Sequence, residues 1–515
     1  MPAMVVIPTD GRSTSRVAVD KVHSIVCNRV QDGVEQFLVR WETSHSTTTP
    51  PLSWHSINVL SRCLEEVQDY LDSRPKPSQV SLPQGASRKR KSPDTGLDVE
   101  RRPSPFEGRL HQRSQTPSLS RSSSVSTSSN PTPVPSIDVY NGILDSTENG
   151  FIYCRPASGA GIQKLDTRTL PTSDMMRAAR DSKVETTNML IRAEYVRRLN
   201  RVPGKPISLF NSMDSSTPSL RFRYIMDYVL APGVHRASLD SQVGCQKCSP
   251  HMGRDIGCEY TKKCDCLEYA AVDESRITDP DTREEYELAL ATGGSLMGYP
   301  KKFPYFAEGT KVQRAGCLVN FYLKSRNPIY ECNNNCRCGP SCRNKNVQFG
   351  RTVEVEIFKT PSGRGWGLRC REDLHEGQFI DTYRGEIITD AEATRREEAS
   401  SKAKASYLYS LDKFAESENL APQDIYVVDG EFMGGPSKFI NHSCEPNCRQ
   451  YTVSYNKHDC RVYDIAFFAC HFIPAGEELT FDYLDKDDDE TIDEPGEGAI
   501  PCLCGASKCR KWLWT

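Results

Sequence analysis

Twelve of the chain's 21 cysteines fall in three tight runs. The first is Cys245-x2-Cys248-x9-Cys258-x5-Cys264-x-Cys266, and the second is Cys332-x3-Cys336-x-Cys338-x3-Cys342. Thiolates clustered in this way are ligands for a soft cation, and zinc takes four of them in a tetrahedron. Nine thiolates satisfy three zinc ions only if three of them each bridge two metals. Two separate four-cysteine sites with a spare thiol are the alternative. In either case a segment so poor in apolar residues links metal binding to folding. The third run, Cys502-x-Cys504-x4-Cys509, is one ligand short. Cys444, within Asn441-His442-Ser443-Cys444, is the best fourth donor. A zinc there would pin the last run against that motif and make it a wall of whatever pocket the motif lines. Cys317 lies outside the runs and reads as a buried free thiol. Cys27, Cys63, Cys154, Cys370, Cys460 and Cys470 are isolated, and packing accounts for them.

Clustered metal-binding cysteines fit a reducing, intracellular compartment, where structural disulfides are disfavoured. The chain has 515 residues, 37% of them hydrophobic and 26% charged. That suits two or three domains diluted by disordered sequence. No apolar run is long enough to span a bilayer, so no membrane partner is expected. The first residues lack the layout of a secretory signal. Charge is unevenly spread. Residues 73–135 hold 11 Lys/Arg against 4 Asp/Glu, whereas residues 346–515 hold 19 against 31. An acidic C-terminal domain attracts a basic peptide, although plain solubility accounts for the charge equally well.

The elements that position these groups follow from periodicity. Val-Ala-Val-Asp-Lys-Val at 17–22 and Gln-Phe-Leu-Val-Arg-Trp at 36–41 read as strands, and Leu64 to Leu71 as a closing helix. Together 17–71 make a small α+β module. Residues 72–180, rich in Ser, Pro, Thr and Arg, read as a disordered linker. Its Arg88-Lys89-Arg90-Lys91 run offers a weak nucleic-acid contact or nuclear import signal. Its Ser-Pro and Thr-Pro pairs are candidate phosphorylation sites. A helical connector with a helix at Ser182–Leu199 spans 181–242. From Arg351 the chain turns mainly β, with strands at 353–358, 378–383 and 460–469, interrupted by a helix over 390–404.

Three motifs in this β-rich part resemble the SET-domain methyltransferases. They are Gly363-Arg364-Gly365-Trp366-Gly367, Asn441-His442-Ser443-Cys444-Glu445-Pro446-Asn447-Cys448 and Glu478-Leu479-Thr480-Phe481-Asp482-Tyr483. The flanking cysteine runs resemble pre-SET and post-SET zinc modules. The whole, covering roughly residues 240–515, is similar to the heterochromatin-type histone H3 lysine-9 methyltransferases. The resemblance implies a pre-SET zinc cluster over 243–345, a SET fold over 346–484 and a post-SET zinc module over 499–515. The SET fold would be short curved sheets around a knot-like crossing of Asn441–Cys444 with Leu479–Tyr483. An acidic loop, 485–498, precedes the post-SET module.

The same resemblance implies site roles. Arg364, Gly365, Trp366, Tyr407, Lys438, Asn441, His442 and Trp514 would bind S-adenosylmethionine; at Lys438 relatives often carry Arg, whose planar fork Lys lacks. Tyr383, Tyr483, His442 and Phe481 would form the methyl-transfer centre. Tyr409, Phe481 and Trp514 would line a lysine channel, and Asp412 would face a basic residue of a histone H3 tail entering as an extended strand. Trp514 is preferred over Trp512 because it lies five residues past Cys509. Metal ligands would be Cys245, Cys248, Cys258, Cys264, Cys266, Cys332, Cys336, Cys338 and Cys342, with Cys444, Cys502, Cys504 and Cys509 at the second site. The implied setting is nuclear chromatin, with gene silencing as the outcome.

The chemistry suits these residue types. A lysine amine with an unperturbed pKa of about 10.4 is protonated and inert near neutrality. An aromatic channel beside a sulfonium disfavours the ammonium form, so no His/Asp base is required. Phenylalanine at 481 lacks the hydroxyl with which a tyrosine would crowd a methylated amine, so di- and trimethylation are expected. A catalytically silent zinc scaffold, or a methyltransferase for a non-histone protein, is the alternative. Intact Asn441, His442, Tyr383 and Tyr483 favour the enzyme.

The 17–71 module is similar to a chromodomain through Phe37-Leu-Val-Arg-Trp41, Trp54 and the helix after Leu60. Such domains enclose methyl-lysine with three aromatics. Here Trp41 matches one, while the other positions fall near Val17 and Ser44. A docking module is therefore expected rather than a methyl-lysine reader.

Overall fold

The computed structural model describes residues 22–42, 52–74, 143–144, 151–154, 163–166, 170–248, 265–307, 314–340, 342–399, 407–456, 459–485 and 500–514. Those up to Thr187 belong to one compact unit and those from Asn188 onward to a second.

The first unit is built on an antiparallel sheet of Val22–Gln31, Val34–Trp41 and Leu52–Ser56. Asp32 and Gly33 join the first two strands, both at positive φ (50° and 75°), the backbone a tight hairpin demands. Helix Leu64–Ser73 turns Leu64, Val67 and Tyr70 inward at helical spacing. Of the strand expected at 17–22, residues 17–21 lie outside the described residues, and a strand runs from Val22 to Gln31.

Of the disordered linker expected over 72–180, residues 75–142 lie outside the described residues, and part of the remainder is ordered. Ile143–Leu144 pairs with Leu52 and Ser53 on the sheet edge, and Phe151–Cys154 pairs with Gln163–Asp166. Helix Ser173–Asp181, capped by Thr172, packs on the sheet. Leu170 and Ala179 share a core with Cys27, Leu38, Leu52 and Trp54, and Met175 packs against it. Composition averaged over a hundred residues hid this short apolar stripe. The connector helix begins at Glu185 rather than Ser182. Glu35 caps its start, accepting the N–H groups of Thr186 and Thr187 at 2.7 Å each. A carboxylate is well placed there, against the positive end of the helix dipole.

The second unit consists of small sheets. One orders Ile329–Tyr330, Cys448–Ser454, Asp464–Ala469 and Phe379–Tyr383. Every residue of its last two strands is buried, the polar Asp381, Thr382 and Asp464 included. Tyr305, Leu318, Tyr322 and Ile329 join Phe379, Tyr451 and Phe468 in one core, fastening the cysteine-rich segment to this sheet. Each such buried side chain contributes roughly 1.5–3 kcal/mol. A second sheet orders Leu408–Ser410, Val427–Asp429, Glu386–Ile388 and Val229–Leu230. The third joins Trp366–Cys370, Val355–Lys359 and Ile207–Phe210.

Three expected strands appear with shifted ends, as Val355–Lys359, Phe379–Tyr383 and Asp464–Ala469. The last starts late because Asp459 Oδ1 accepts the N–H groups of Arg461 and Val462, making a turn of those residues. The helix expected over 390–404 is Asp390–Ala399, and 400–406 lie outside the described residues. So do 486–499, where the acidic loop was expected. No helix among the described residues is long and apolar enough to cross a membrane.

Candidate active site

Two short segments make the frame of the site. Asn441–His442 runs parallel to Thr480–Phe481, with Asn441 beside Thr480 and His442 beside Phe481. Ser443 N–H donates to Phe481 O at 3.1 Å. Asn447 stitches the pair, accepting Thr480 N–H and donating to Glu478 O, both at 2.8 Å.

On one side of this frame Glu478 gathers the polar residues. Asn441 Nδ2 donates to Glu478 Oε1 at 2.8 Å and to Trp366 O at 3.1 Å. Arg364 reaches Glu478 Oε2 at 2.5 Å. Arg364, Trp366 and Asn441 are thereby brought together, as expected. Gly365 takes φ 84°, open to glycine at little cost. At Gly367 a Cβ would lie 2.9 Å from Glu478 Oε1. Glu478 was quoted in its motif without a role.

The aromatic residues occupy the other side. Tyr383 is buried, donates its hydroxyl to Tyr407 O at 2.6 Å, and lies 5.7 Å ring to ring from Tyr409. Burial holds the Tyr383 phenol well above its usual range, and the charge of Asp429 adds to this. Tyr483 donates to Ile440 O at 2.9 Å, and burial raises its phenol too. Its ring is 4.7 Å from Phe481, which in turn is 4.8 Å from Phe467. Tyr409 is fully buried, and its hydroxyl has no hydrogen-bond partner. A buried orphan hydroxyl is costly unless a ligand or water completes it.

Lys438 donates to Glu431 O at 2.7 Å and stacks over the rings of Phe222 and Tyr407, at 4.0 and 4.6 Å. Phe222 and Tyr228 were missed. Tyr228 donates to the carbonyls of Tyr383 and Tyr463, at 3.1 and 3.3 Å, bracing the Tyr383 strand. Their distance from the motifs leaves no sequence signal for either. Asp412 is half-buried, and its charge reaches Tyr409. It follows Leu408–Ser410, which lies at a sheet edge. Trp514 pairs its backbone with Ile500; its side chain lies outside what is described.

The sulfurs of Cys444, Cys502, Cys504 and Cys509 all lie within 4.8 Å of one another. Backbone N–H groups of Arg510 and Lys511 point at the sulfurs of Cys444 and Cys509, both at 3.4 Å. Four convergent sulfurs ringed by N–H donors fit a tetrahedral soft cation. In the other cluster, Cys266, Cys332 and Cys336 form one close group and Cys332, Cys338 and Cys342 another, so Cys332 belongs to both. Cys245 and Cys248 have sulfurs 3.6 Å apart, and the N–H of Cys245 reaches the sulfur of Cys336. Cys258 and Cys264 lie outside the described residues. Cys317 is buried outside these groups, its thiol pushed up to about 11 by burial. Cys27, Cys63 and Cys370 are buried as expected, whereas Cys460 and Cys470 are only partly so. The side chain of Cys154 lies outside the description.

A cavity of about 510 Å³ adjoins Cys444 and Asp482 and is walled by Arg449, His471 and Arg510. It contains none of Tyr383, Tyr409 or Phe481, so it is not where the aromatic residues meet.

These elements define a SET-domain protein, and family comparison agrees: residues 365–484 match the SET domain model and residues 200–345 the Pre-SET motif. The chain belongs to the family of histone-lysine N-methyltransferases described as H3 lysine-9 specific. It is 39% identical over 320 residues to KMT1 of Fusarium mangiferae, covering 60% of this chain and 88% of that one. To dim-5 of Neurospora crassa it is 38% identical over 322 residues, with the same coverage. The solved SET domain protein DIM-5 of Neurospora is 36% identical, spanning 56% of this chain and 99% of that one, with a TM-score of 0.44.

Proposed function

We propose that the chain transfers methyl groups from S-adenosylmethionine to lysine 9 of histone H3, reaching the di- and trimethyl states, and acts in nuclear chromatin to form silent heterochromatin. The observation that carries this reading is the parallel pairing of Asn441–His442 with Thr480–Phe481, which sets Phe481 and Tyr483 in one aromatic group. The relatives' names supply the substrate.

S-adenosylmethionine, when bound, supplies an electrophilic methyl on a positive sulfonium. Arg364, Gly365, Trp366, Tyr407, Lys438, Asn441, His442 and Trp514 are the residues proposed to hold it. Tyr409, Phe481 and Trp514 are proposed to line the lysine channel, with Tyr383, Tyr483, His442 and Phe481 at the methyl-transfer centre inside it. Phenols held above their usual range stay protonated, so they act as hydrogen-bonding dipoles and not as bases. An amine among these rings loses hydration and favours its neutral, nucleophilic form. The orphan hydroxyl of Tyr409 is available to orient it. Positioning of this kind lowers a barrier by several kcal/mol without a dedicated base. The edge strand Leu408–Ser410 is the proposed place for an extended histone tail to pair, with Asp412 beside it for a basic residue.

Zinc is the proposed metal at both cysteine clusters. The membership of Cys332 in two sulfur groups supports a bridged three-zinc cluster over two isolated sites. Residues 17–71 are proposed to be a chromodomain-like docking module. Trp41 gives its indole N–H to Ser53 at 2.6 Å and meets His55 edge-on at 5.4 Å.

The test is mass spectrometry of histone H3 tail peptides incubated with the zinc-replete protein and S-adenosylmethionine, with Tyr483→Phe as control. Stepwise methyl gains confined to lysine 9, reduced in the control, are expected. Gains at another lysine would discard the substrate and keep the chemistry. Failure to bind S-adenosylmethionine would discard both.

A further inference from the structure

Asp412, proposed to face a basic residue of the histone tail, sits in a loop whose two ends are held by Arg461 and Tyr463, from one short stretch of chain. The turn in that stretch is made by the buried Asp459, whose Oδ1 accepts the N–H groups of Arg461 and Val462. Its Oδ2 accepts the N–H of Ala237 at 3.0 Å, which fixes the carboxylate itself. At the far end of the loop Arg461 donates to Asp424 O at 2.9 Å and lies over the Tyr426 ring at 4.0 Å. At the near end stands Tyr463, which is buried. Its phenol oxygen accepts the Lys413 N–H at 2.9 Å, and its ring meets Phe414 edge-on at 5.4 Å. The peptide group joining Asp412 to Lys413 is planar, so whatever holds its N–H also orients the Asp412 backbone. Its carbonyl, Asp412 O, accepts the Ala415 N–H at 2.9 Å. Both polar ends of that plane are thus held, one by the loop itself and one by Tyr463.

We infer that Tyr463 is a positioning residue for substrate binding, its phenol fixing the peptide plane that carries Asp412 beside the edge strand Leu408–Ser410. The inference rests on the reading of Asp412 as a histone contact. An aspartate side chain is short, and its carboxylate goes where its backbone goes. Without the phenol the Lys413 N–H turns to water and the plane rocks. The carboxylate then loses its fixed distance from the strand edge where the tail is proposed to pair. Substrate affinity falls with it, because ordering the contact has to be paid at the moment of binding. The Tyr463 backbone has a separate task. Its carbonyl accepts the Tyr228 hydroxyl at 3.3 Å, the same hydroxyl that reaches Tyr383 O at 3.1 Å. The two tasks use different atoms. Removing the hydroxyl of Tyr463 alone therefore disturbs the substrate loop and leaves the brace on the Tyr383 strand in place.

Two measurements on the full, zinc-replete chain test this. Tyr463→Phe removes the hydroxyl and keeps the ring against Phe414. Hydrogen exchange reads the bond directly: the Lys413 amide should exchange about fivefold faster or more, the effect of losing one hydrogen bond. Steady-state methylation of a histone H3 tail peptide reads the consequence. KM for the peptide should rise about fivefold, while kcat and the Kd for S-adenosylmethionine change less than about twofold. Loss of folded protein would lower kcat instead. Asp412→Asn should raise the same KM, and adding Tyr463→Phe to it should change little, because the two act on one contact. Unchanged exchange at Lys413, an unchanged KM in Tyr463→Phe, or a full second increase in the double variant would overturn the positioning role alone. An unchanged KM in Asp412→Asn would overturn the reading of Asp412 as a histone contact, and the inference with it.

Discussion

Glu478 accepts Arg364 on one carboxylate oxygen, at 2.5 Å, while Asn441 holds the other at 2.8 Å. A single carboxylate therefore aligns two residues proposed to contact S-adenosylmethionine. Glu478→Gln keeps an acceptor for Asn441 but removes the ion pair. Both partners are mostly buried, with side-chain exposures of 17% and 18%. The loss should cost about 1–2 kcal/mol, so S-adenosylmethionine binding should weaken about tenfold. Calorimetric titration checks this; an unchanged Kd would remove Glu478 from the binding framework.

Gly430 lies against the Tyr383 hydroxyl so closely that a Cβ there would sit 2.5 Å from it. Gly430→Ala should push Tyr383 off Tyr407 O and reduce kcat at least tenfold. Overpacking of this kind costs about 1–3 kcal/mol of stability. Steady-state kinetics beside a melting curve separate the two effects. A fall in Tm with kcat intact would argue against Tyr383 in the channel.

Phe481 is packed between Phe467 and Tyr483, with 1% of its surface exposed. A hydroxyl on that ring must find room and a partner inside the aromatic group. Phe481→Tyr is expected to stop mainly at the mono- and dimethyl products. If peptide mass spectra still show mostly trimethyl-lysine, Phe481 does not set the product.

Asp381 is buried, and its Oδ2 has no hydrogen-bond partner. Burial raises its carboxyl to about 6, against an opposing pull from the Arg351 charge. Its folded pKa lies above its unfolded value near 4, so its stabilising contribution is present below pH 4 and lost as pH rises through 6. The cost of holding it ionised above that range is roughly 3 kcal/mol. Asp381→Asn should therefore raise Tm at pH 8 and have little effect at pH 4. Melting curves across this range are the check, and an equal effect at both ends would contradict it.

Metal content distinguishes the two readings of the nine cysteines. A bridged cluster plus the Cys444 site predicts about four zinc ions per chain, and separate four-cysteine sites predict about three. Elemental analysis of the purified protein decides.

Much of the site was legible because its residues sit in short contiguous motifs, and the Cys444 quartet followed from counting ligands. Strands such as Asp464–Ala469 were legible because both faces are buried. What stayed hidden depends on distant partners. Tyr228 braces Tyr383 across 155 residues, and Lys438 finds Phe222 only in the folded state. The helix Ser173–Asp181 was lost in polar surroundings because its value lies in a few apolar contacts, Leu170, Met175 and Ala179. Tertiary packing, rather than local propensity, placed each of these.

The parallel pairing of Asn441–His442 with Thr480–Phe481 also bears on how the chain folds. Asn441 meets Trp366 across 75 residues, and Arg364 meets Glu478 across 114. Contacts so remote in sequence pay loop-closure entropy before they return any stability, and they slow folding. Partly folded chains thus carry no partial version of the site. After dilution from denaturant, methyl transfer should emerge with the slowest kinetic phase, well behind the burst of strand and helix formation.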